Sequence, residues 1–318
     1  GLQIEEKSMG NERIPLLPFE MELETKSILK KLAAAHRALA ELKGAAYSIP
    51  NESILISTLS LQEAKDSSAI ENIITTDDEL FKSDTSAKQF ASLAAKEVHS
   101  YAYALRHGFE KVKQKQVLSN NQILEIQSLI VDNRAGFRKL PGTALKNEQT
   151  GEIIYTPPQS LAEITGLMNN LEKFMNDDRL CDWDPLVKMA VIHHQFESIH
   201  PFYDGNGRVG RIINILYLVR RGLLKIPILY LSRYINRNKP DYYRLLQNVR
   251  TKGAWHDWVN FMLDGVEQTS VQTLLLIDGI KIEMQKCKQK MRNELPKIYS
   301  QDLLNNLFRH PYTKIEFV

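Results

Sequence analysis

Apolar residues recur every three or four positions over most of the 318-residue chain. That period predicts helices over residues 23–42, 54–70, 90–112, 123–131, 161–174, 186–199, 212–219 and 255–282. One stretch departs from it. Residues 143–156, TALKNEQTGEIIYT, set turn-forming positions 147–151 between two short extended runs, and Pro157-Pro158 ends the second. A β-hairpin is expected there, with a helix starting just after Gln159 and Ser160. The expected fold class is all-α with one small β-hairpin.

The patterning has no internal repeat and only soft boundaries. Residues 1–90 are expected to form an N-terminal helical region, 91–270 a catalytic core, and 271–296 a connecting helix. Residues 297–318 are expected to open a small C-terminal module that continues beyond this sequence. After Pro296 a short helix over 300–308 is followed by His310-Pro311-Tyr312-Thr313, which restarts another. Gly1 in place of an initiator Met suggests a cleavage scar.

Composition narrows the classes. With 43% hydrophobic and 25% charged residues and only 15 Gly and 12 Pro, the chain is neither disordered nor fibrous. Its 41 basic and 38 acidic residues leave a net charge of +3 and no dense basic stripe, so nucleic acid is not the default partner. Cys181 and Cys287 are too few and too far apart for a disulfide framework, which points to a reducing cytoplasm. The first thirty residues lack the apolar core of a secretory signal, and no run reaches the roughly 18 apolar residues of a membrane span.

The candidate chemistry lies in residues 200–211, HPFYDGNGRVGR. Gly205, Asn206 and Gly207 immediately precede a helix expected over 209–221. Such a loop turns several backbone N–H groups into one concavity, to which the helix N-terminus adds about half a positive charge. Arg208 and Arg211, one turn apart, offer guanidinium forks to phosphate oxygens, with Val209 and Gly210 between them. Asp204 is the one carboxylate in the cluster and the natural Mg²⁺ ligand. His200 ends the preceding helix and has the pKa range of a general base, while Phe202 reads as a core anchor for the loop. Each feature alone is commonplace: DG and NG pairs are usually turns, and paired arginines are usually solvated surface.

Together, His200, Phe202, Asp204, Gly205, Asn206, Gly207, Arg208 and Arg211 match the signature H-x-F-x-[DE]-G-N-G-R-x-x-R, and the chain resembles the Fic family over roughly residues 90–270. The resemblance implies an all-α core with a β-hairpin flap and transfer of AMP from ATP to Ser, Thr or Tyr hydroxyls. It implies that His200 is the base, that Asp204 holds Mg²⁺, and that Gly205, Asn206, Gly207 and Arg208 bind phosphates. Arg211 would then pair with the γ-phosphate. Ile154, Tyr155 and Thr156 would dock a target protein by strand addition. Tyr242 or Tyr243 is the candidate lining of the nucleoside pocket, although adjacent helical tyrosines are as often core.

A second motif lies upstream. By spacing alone, Ser67 and Glu71 share one polar helix face. Ser67-Ser68-Ala69-Ile70-Glu71-Asn72 also resembles the [ST]-x-x-x-E-[GN] inhibitory motif of Fic proteins. That resemblance implies an ion pair between Glu71 and Arg211 that blocks productive ATP binding, or a glutamate that helps remove AMP. Self-modification and a homodimer are further expectations from kin. Three alternatives remain open at this point: a metal-dependent hydrolase built on His193, His194, Glu197 and His200; a DNA-binding regulator acting through the C-terminal module; and transfer of another nucleotide or of phosphocholine.

Overall fold

The centre of the molecule is made by two helices whose sequences are apolar on nearly every side. The structure, a computed structural model, describes residues 13–83, 88–147 and 149–309. Helix α7 (Pro185–Ile199) is capped by Asp184, whose carboxylate accepts from the Leu186 N–H at 2.8 Å, and Pro185 opens its first turn. Every residue from Leu186 to Ile199 is buried, including Lys188, His193, His194 and Glu197. Each fully buried Leu, Ile or Phe on such a helix contributes about 1.5–3 kcal/mol. Helix α8 (Asn206–Arg220) packs against α7 and is also buried over almost its whole length. The loop 200–205 joins them.

The other helices wrap this pair. They are α1 (Lys26–Ala46), α2 (Glu52–Ile70), α3 (Asp77–Lys82), α4 (Leu93–Lys115), α5 (Asn120–Val131) and α6 (Leu161–Asn176), followed after α8 by α9 (Leu231–Arg237), α10 (Lys239–Lys252), α11 (Trp255–Glu294) and α12 (Gln301–Arg309). Helices α4 and α5 pack on α8, α6 and α11 pack on α7, and α1 lies along α11. Helix α2 is laid across α4 and α9, and α12 returns to touch both α2 and α11. The hairpin strands β1 (Leu145–Lys146) and β2 (Ile153–Tyr155) pair antiparallel, Leu145 opposite Tyr155 and Lys146 opposite Ile153, with one irregularity between. The fold is thus all-α with a two-stranded flap.

Several elements differ from the periodicity. Helix α3 is only six residues long, too short for a repeating apolar stripe, and is held by a capping box between Thr76 and Glu79. Helix α9 is likewise one short segment. Helix α11 runs unbroken for 40 residues, about 60 Å at 1.5 Å per residue, with no interruption at residue 270. A single apolar core extends from Leu17 to Met284, so α1 and α2 share their interior with the helices that follow. Cys181 and Cys287 are both unpaired thiols. Among the described residues no helix is long and apolar enough to cross a membrane. The helix restart expected at His310 and the leading residues 1–12 lie outside the described residues.

Candidate active site

The loop between α7 and α8 is shaped by two left-handed residues. His200 closes α7 with φ 49°, its N–H donating to the Phe196 carbonyl at 2.9 Å, and Gly205 opens α8 with φ 83°. A left-handed histidine is tolerated only where its surroundings hold it. Phe202 is fully buried against Phe137 and Phe196, and anchors the loop as its sequence position implied. The Asn206 side-chain amide clamps the loop by donating to the Phe202 carbonyl at 2.8 Å and accepting the Phe202 N–H at 2.9 Å. No side chain caps α8, so its first N–H groups face the concavity.

The two arginines do not act as a matched pair over that concavity. Arg208 is buried and donates to Glu97 at 3.0 Å and more weakly to Asp204 at 3.4 Å. Arg211 is turned instead to the end of α2: its Nε donates to the Ser67 hydroxyl at 2.7 Å, and its Nη2 to the Ser67 carbonyl at 3.0 Å and to Glu71 at 2.8 Å. Glu71 terminates α2, with 35% of its side chain exposed and Asn72 following in a left-handed turn. Lys239 donates to the Asn72 side chain at 3.1 Å. Burial would push the Glu71 carboxyl up, but the charge and hydrogen bond of Arg211 outweigh it and hold the group below the ordinary carboxylate range. The same pair more than offsets the burial of Arg211, whose pKa is raised.

Gly207 shows how closely Glu71 fills the concavity. A methyl group added there would lie 2.2 Å from Glu71 Oε1 and 2.9 Å from Arg211 Nη1. The carboxylate therefore lies directly against the first turn of α8.

His200 is driven below its ordinary range, to about 4, mainly by burial and then by the charges of Arg138 and Arg250, with Glu71 pulling the other way. The imidazole is neutral at pH 7 and can accept a proton. Its Nδ1 is enclosed in the protein. Asp204 lies at the rim with its side chain 70% exposed, and its Oδ1 accepts from the Gly205 N–H at 2.6 Å. One exposed carboxylate beside an open helix N-terminus fits a Mg²⁺ that also takes phosphate and water oxygens.

The flap is tied to the same region. Tyr155 donates from its hydroxyl to the Ser198 carbonyl at 2.9 Å, and the Arg250 guanidinium lies 4.1 Å from the centre of its ring. Arg250 also donates to the Ser198 hydroxyl at 3.1 Å, while Gln247 donates to the Ile154 carbonyl at 3.1 Å. Ile153, Ile154 and Thr156 are exposed.

Packing separates the adjacent tyrosines: Tyr242 is a core residue, 1% exposed, whose hydroxyl lies 2.8 Å from His193 Nε2, while Tyr243 is exposed. His193 and His194 are packed in the core. His193 stacks on Trp258 and meets Asn214, and His194 reaches the Leu246 carbonyl. Glu197 is a buried carboxyl pushed up to about 7 by burial. Among the described residues no three His, Cys, Asp or Glu side chains converge on a metal position.

Sequence comparison matches residues 29–110 to the Fic/DOC family N-terminal model and residues 117–218 to the Fic/DOC family model. The chain belongs to the Fic/DOC family. Residues 284–318 of this Fic/DOC chain match the C-terminal domain of SoFic-like protein adenylyltransferases. It is 27% identical over 158 residues to a protein adenylyltransferase Fic of Aedes aegypti, covering 50% of this chain and 30% of the relative. It is 36% identical over 83 residues to a probable protein adenylyltransferase of Aquifex aeolicus, covering 26% and 25%. The chain thus matches about a quarter to a third of the length of these relatives. The fold is shared with a Fic family protein from Desulfovibrio desulfuricans (TM-score 0.66, 22% identity, 81% of this chain and 76% of that one). It is also shared with Fic-1 of C. elegans (TM-score 0.60, 19% identity, 80% and 73%).

The residues that sequence reasoning missed are Arg138, Glu97, Arg250 and Glu63. Glu63 is buried on α2, accepts from the Ser232 N–H at 3.0 Å and from the Ser232 hydroxyl, and is pushed up to about 7 by burial. None lies in a local motif, so no signal along the chain marks them.

Proposed function

We propose that the protein transfers AMP from ATP to hydroxyl groups of proteins and that the structure represents its self-inhibited state. The observation that carries this is the Glu71 carboxylate seated over Gly207 and bonded to Arg211. A protein anion held at an uncapped helix N-terminus by an arginine stands where an anionic ligand would bind. The names of the curated relatives supply the nucleotide and the acceptor class.

In the reaction, a Ser, Thr or Tyr hydroxyl oxygen attacks the α-phosphorus of ATP in line. The bond from that phosphorus to the bridging oxygen breaks, and pyrophosphate leaves. His200 takes the hydroxyl proton at Nε2, since Nδ1 is enclosed. The α8 N–H groups and Arg211 stabilise the charge on the transferred and leaving groups. Asp204 would hold Mg²⁺, which when bound neutralises phosphate charge. The exposed edge of the flap at Ile154 would align the target backbone, in place of the Gln247 amide that now holds the Ile154 carbonyl.

The test is incubation with Mg²⁺ and ATP labelled at the α-phosphate, comparing the parent with Glu71→Gly and His200→Ala. Label on protein should rise in the first variant and vanish in the second. Transfer of label only from γ-labelled ATP or another nucleotide would refute the donor assignment. Release of AMP from a pre-labelled protein by the parent, lost in Glu71→Gly, would reverse the direction of the reaction.

A further inference from the structure

We propose that Arg138 is a positioning residue for the catalytic base, joining the backbone of His200 to the root of the flap. This rests on the role of His200 proposed above. Arg138 lies in the segment after α5 and is fully buried. Its Nε donates to the His200 carbonyl at 2.7 Å, and its Nη2 donates to the Pro158 carbonyl at 2.8 Å and more weakly to the Ile199 carbonyl at 3.5 Å. Its own N–H donates to the Pro201 carbonyl at 2.8 Å. The side chain thus joins the end of α7 to the residues just after β2, and the backbone of the same residue ties in the proline turn into the loop.

The chemistry of this contact is unusual. Among the described residues every hydrogen-bond acceptor of the guanidinium is a backbone carbonyl and no carboxylate pairs with it. A buried cation without a counter-ion is costly, and Nη1 is enclosed without a hydrogen-bond partner among those residues. The offset comes from the last carbonyls of α7, the negative end of the helix dipole. A neutral side chain filling the same space would avoid the desolvation cost, so packing alone does not account for an arginine here. What a planar fork supplies is a fixed angle between two carbonyls.

Those two carbonyls matter. The His200 carbonyl belongs to a residue held in the left-handed region at φ 49°, which few side chains adopt. The Pro158 carbonyl follows the strand that would carry the target. Holding both fixes the imidazole relative to the acceptor hydroxyl. Misplacing reacting groups by about 1 Å costs roughly a hundredfold in rate.

The charge has a second effect on the same ring. The groups facing His200 are Arg138, Arg250 on α10, Glu71 at the end of α2 and the backbone of Glu197 on α7. Arg138 disfavours the imidazolium and keeps the ring neutral. Its loss moves the ring back towards the ordinary histidine value of about 6.5.

The experiment compares Arg138→Met, which fills the space without charge or fork, with Arg138→Lys, which keeps the charge alone. Both are made in the Glu71→Gly background. The methionine variant should lose about a hundredfold in kcat with the KM for ATP changed less than about twofold. The acid limb of its kcat/KM profile should move to higher pH. The lysine variant should keep the limb in place and recover only part of kcat. NMR titration of the His200 ring between pH 4 and 8, assigned by His200→Ala, should reveal the same upward shift in Arg138→Met without any need for activity. Equal losses in melting temperature with unchanged kcat, pH limb and ring titration would overturn the proposal, as would a rise in the ATP KM that accounts for the whole loss. If the Glu71→Gly parent itself transfers no label, the reaction assignment fails, while the ring titration still decides the role of Arg138.

Discussion

Replacing Glu71 by glycine isolates the contact proposed to close the site. The carboxylate makes one charge-assisted hydrogen bond of 2.8 Å to Arg211, and Arg211 keeps both contacts to Ser67 when it goes. A hydrogen bond involving charge contributes about 1.5–3 kcal/mol, and the 35% exposure of Glu71 favours the lower part of that range through solvent screening. If α-phosphate transfer requires Arg211 free of Glu71, about 1.5–2 kcal/mol of closing energy restricts the competent population by about ten- to thirtyfold. Glu71→Gly should therefore raise the initial rate of protein labelling at sub-saturating ATP by that factor. Glu71→Gln, which keeps an acceptor without charge, should fall between. The assay is initial-rate labelling with α-labelled ATP across a range of ATP concentrations. An unchanged rate in Glu71→Gly, with His200→Ala abolishing whatever activity exists, would refute the idea that this ion pair restrains the reaction.

Further outcomes follow from other contacts. Gly207→Ala places a methyl group 2.2 Å from Glu71 Oε1 and inside the phosphate seat, so it should loosen α2 yet lower labelling at least tenfold even in the Glu71→Gly background, measured by the same assay. The Glu71 carboxyl lies below its ordinary pKa, so its contribution to closure is fully present above about pH 4.3 and lost only as pH falls through the lowered folded value; labelling by the parent should show no relief of inhibition between pH 6 and 9. Glu63 has the opposite sign. Its folded pKa is raised to about 7, so the folded state holds the proton more tightly and stability declines as pH rises from about 4.3 towards 7, by up to about 3 kcal/mol. Urea unfolding of the parent should record that decline, and Glu63→Gln should flatten part of it.

The helices of the centre were legible because burial on all sides leaves a dense apolar run, as in α7. The hairpin was legible because residues 147–151 are turn formers and Pro157-Pro158 stops β2. The loop 200–205 was legible because histidine, glycines and arginines crowd into twelve residues. What local sequence does not encode is partner choice across the chain. Arg208 and Arg211 have the same spacing rule and opposite fates, one bound to Glu97 on α4 and the other to Ser67 and Glu71 at the end of α2. Nor does the sequence show that the Asn206 amide clamps Phe202. The helix expected over 255–282 continues to residue 294 in α11, because no proline or glycine pair stops it earlier.

The double use proposed for Arg211 would make the genetics of this site one-sided. Any substitution on α8 that breaks the contact with Glu71 also strips the group that would meet the nucleotide, and Gly207 beneath it has no room for a side chain. Variants freed from restraint should therefore arise on α2 and on what supports it, from Ser67 through Asn72, while α8 yields only inactive ones. A population grown without need of the restraint would drift in residues 67–72 long before it changed an atom of residues 205–211.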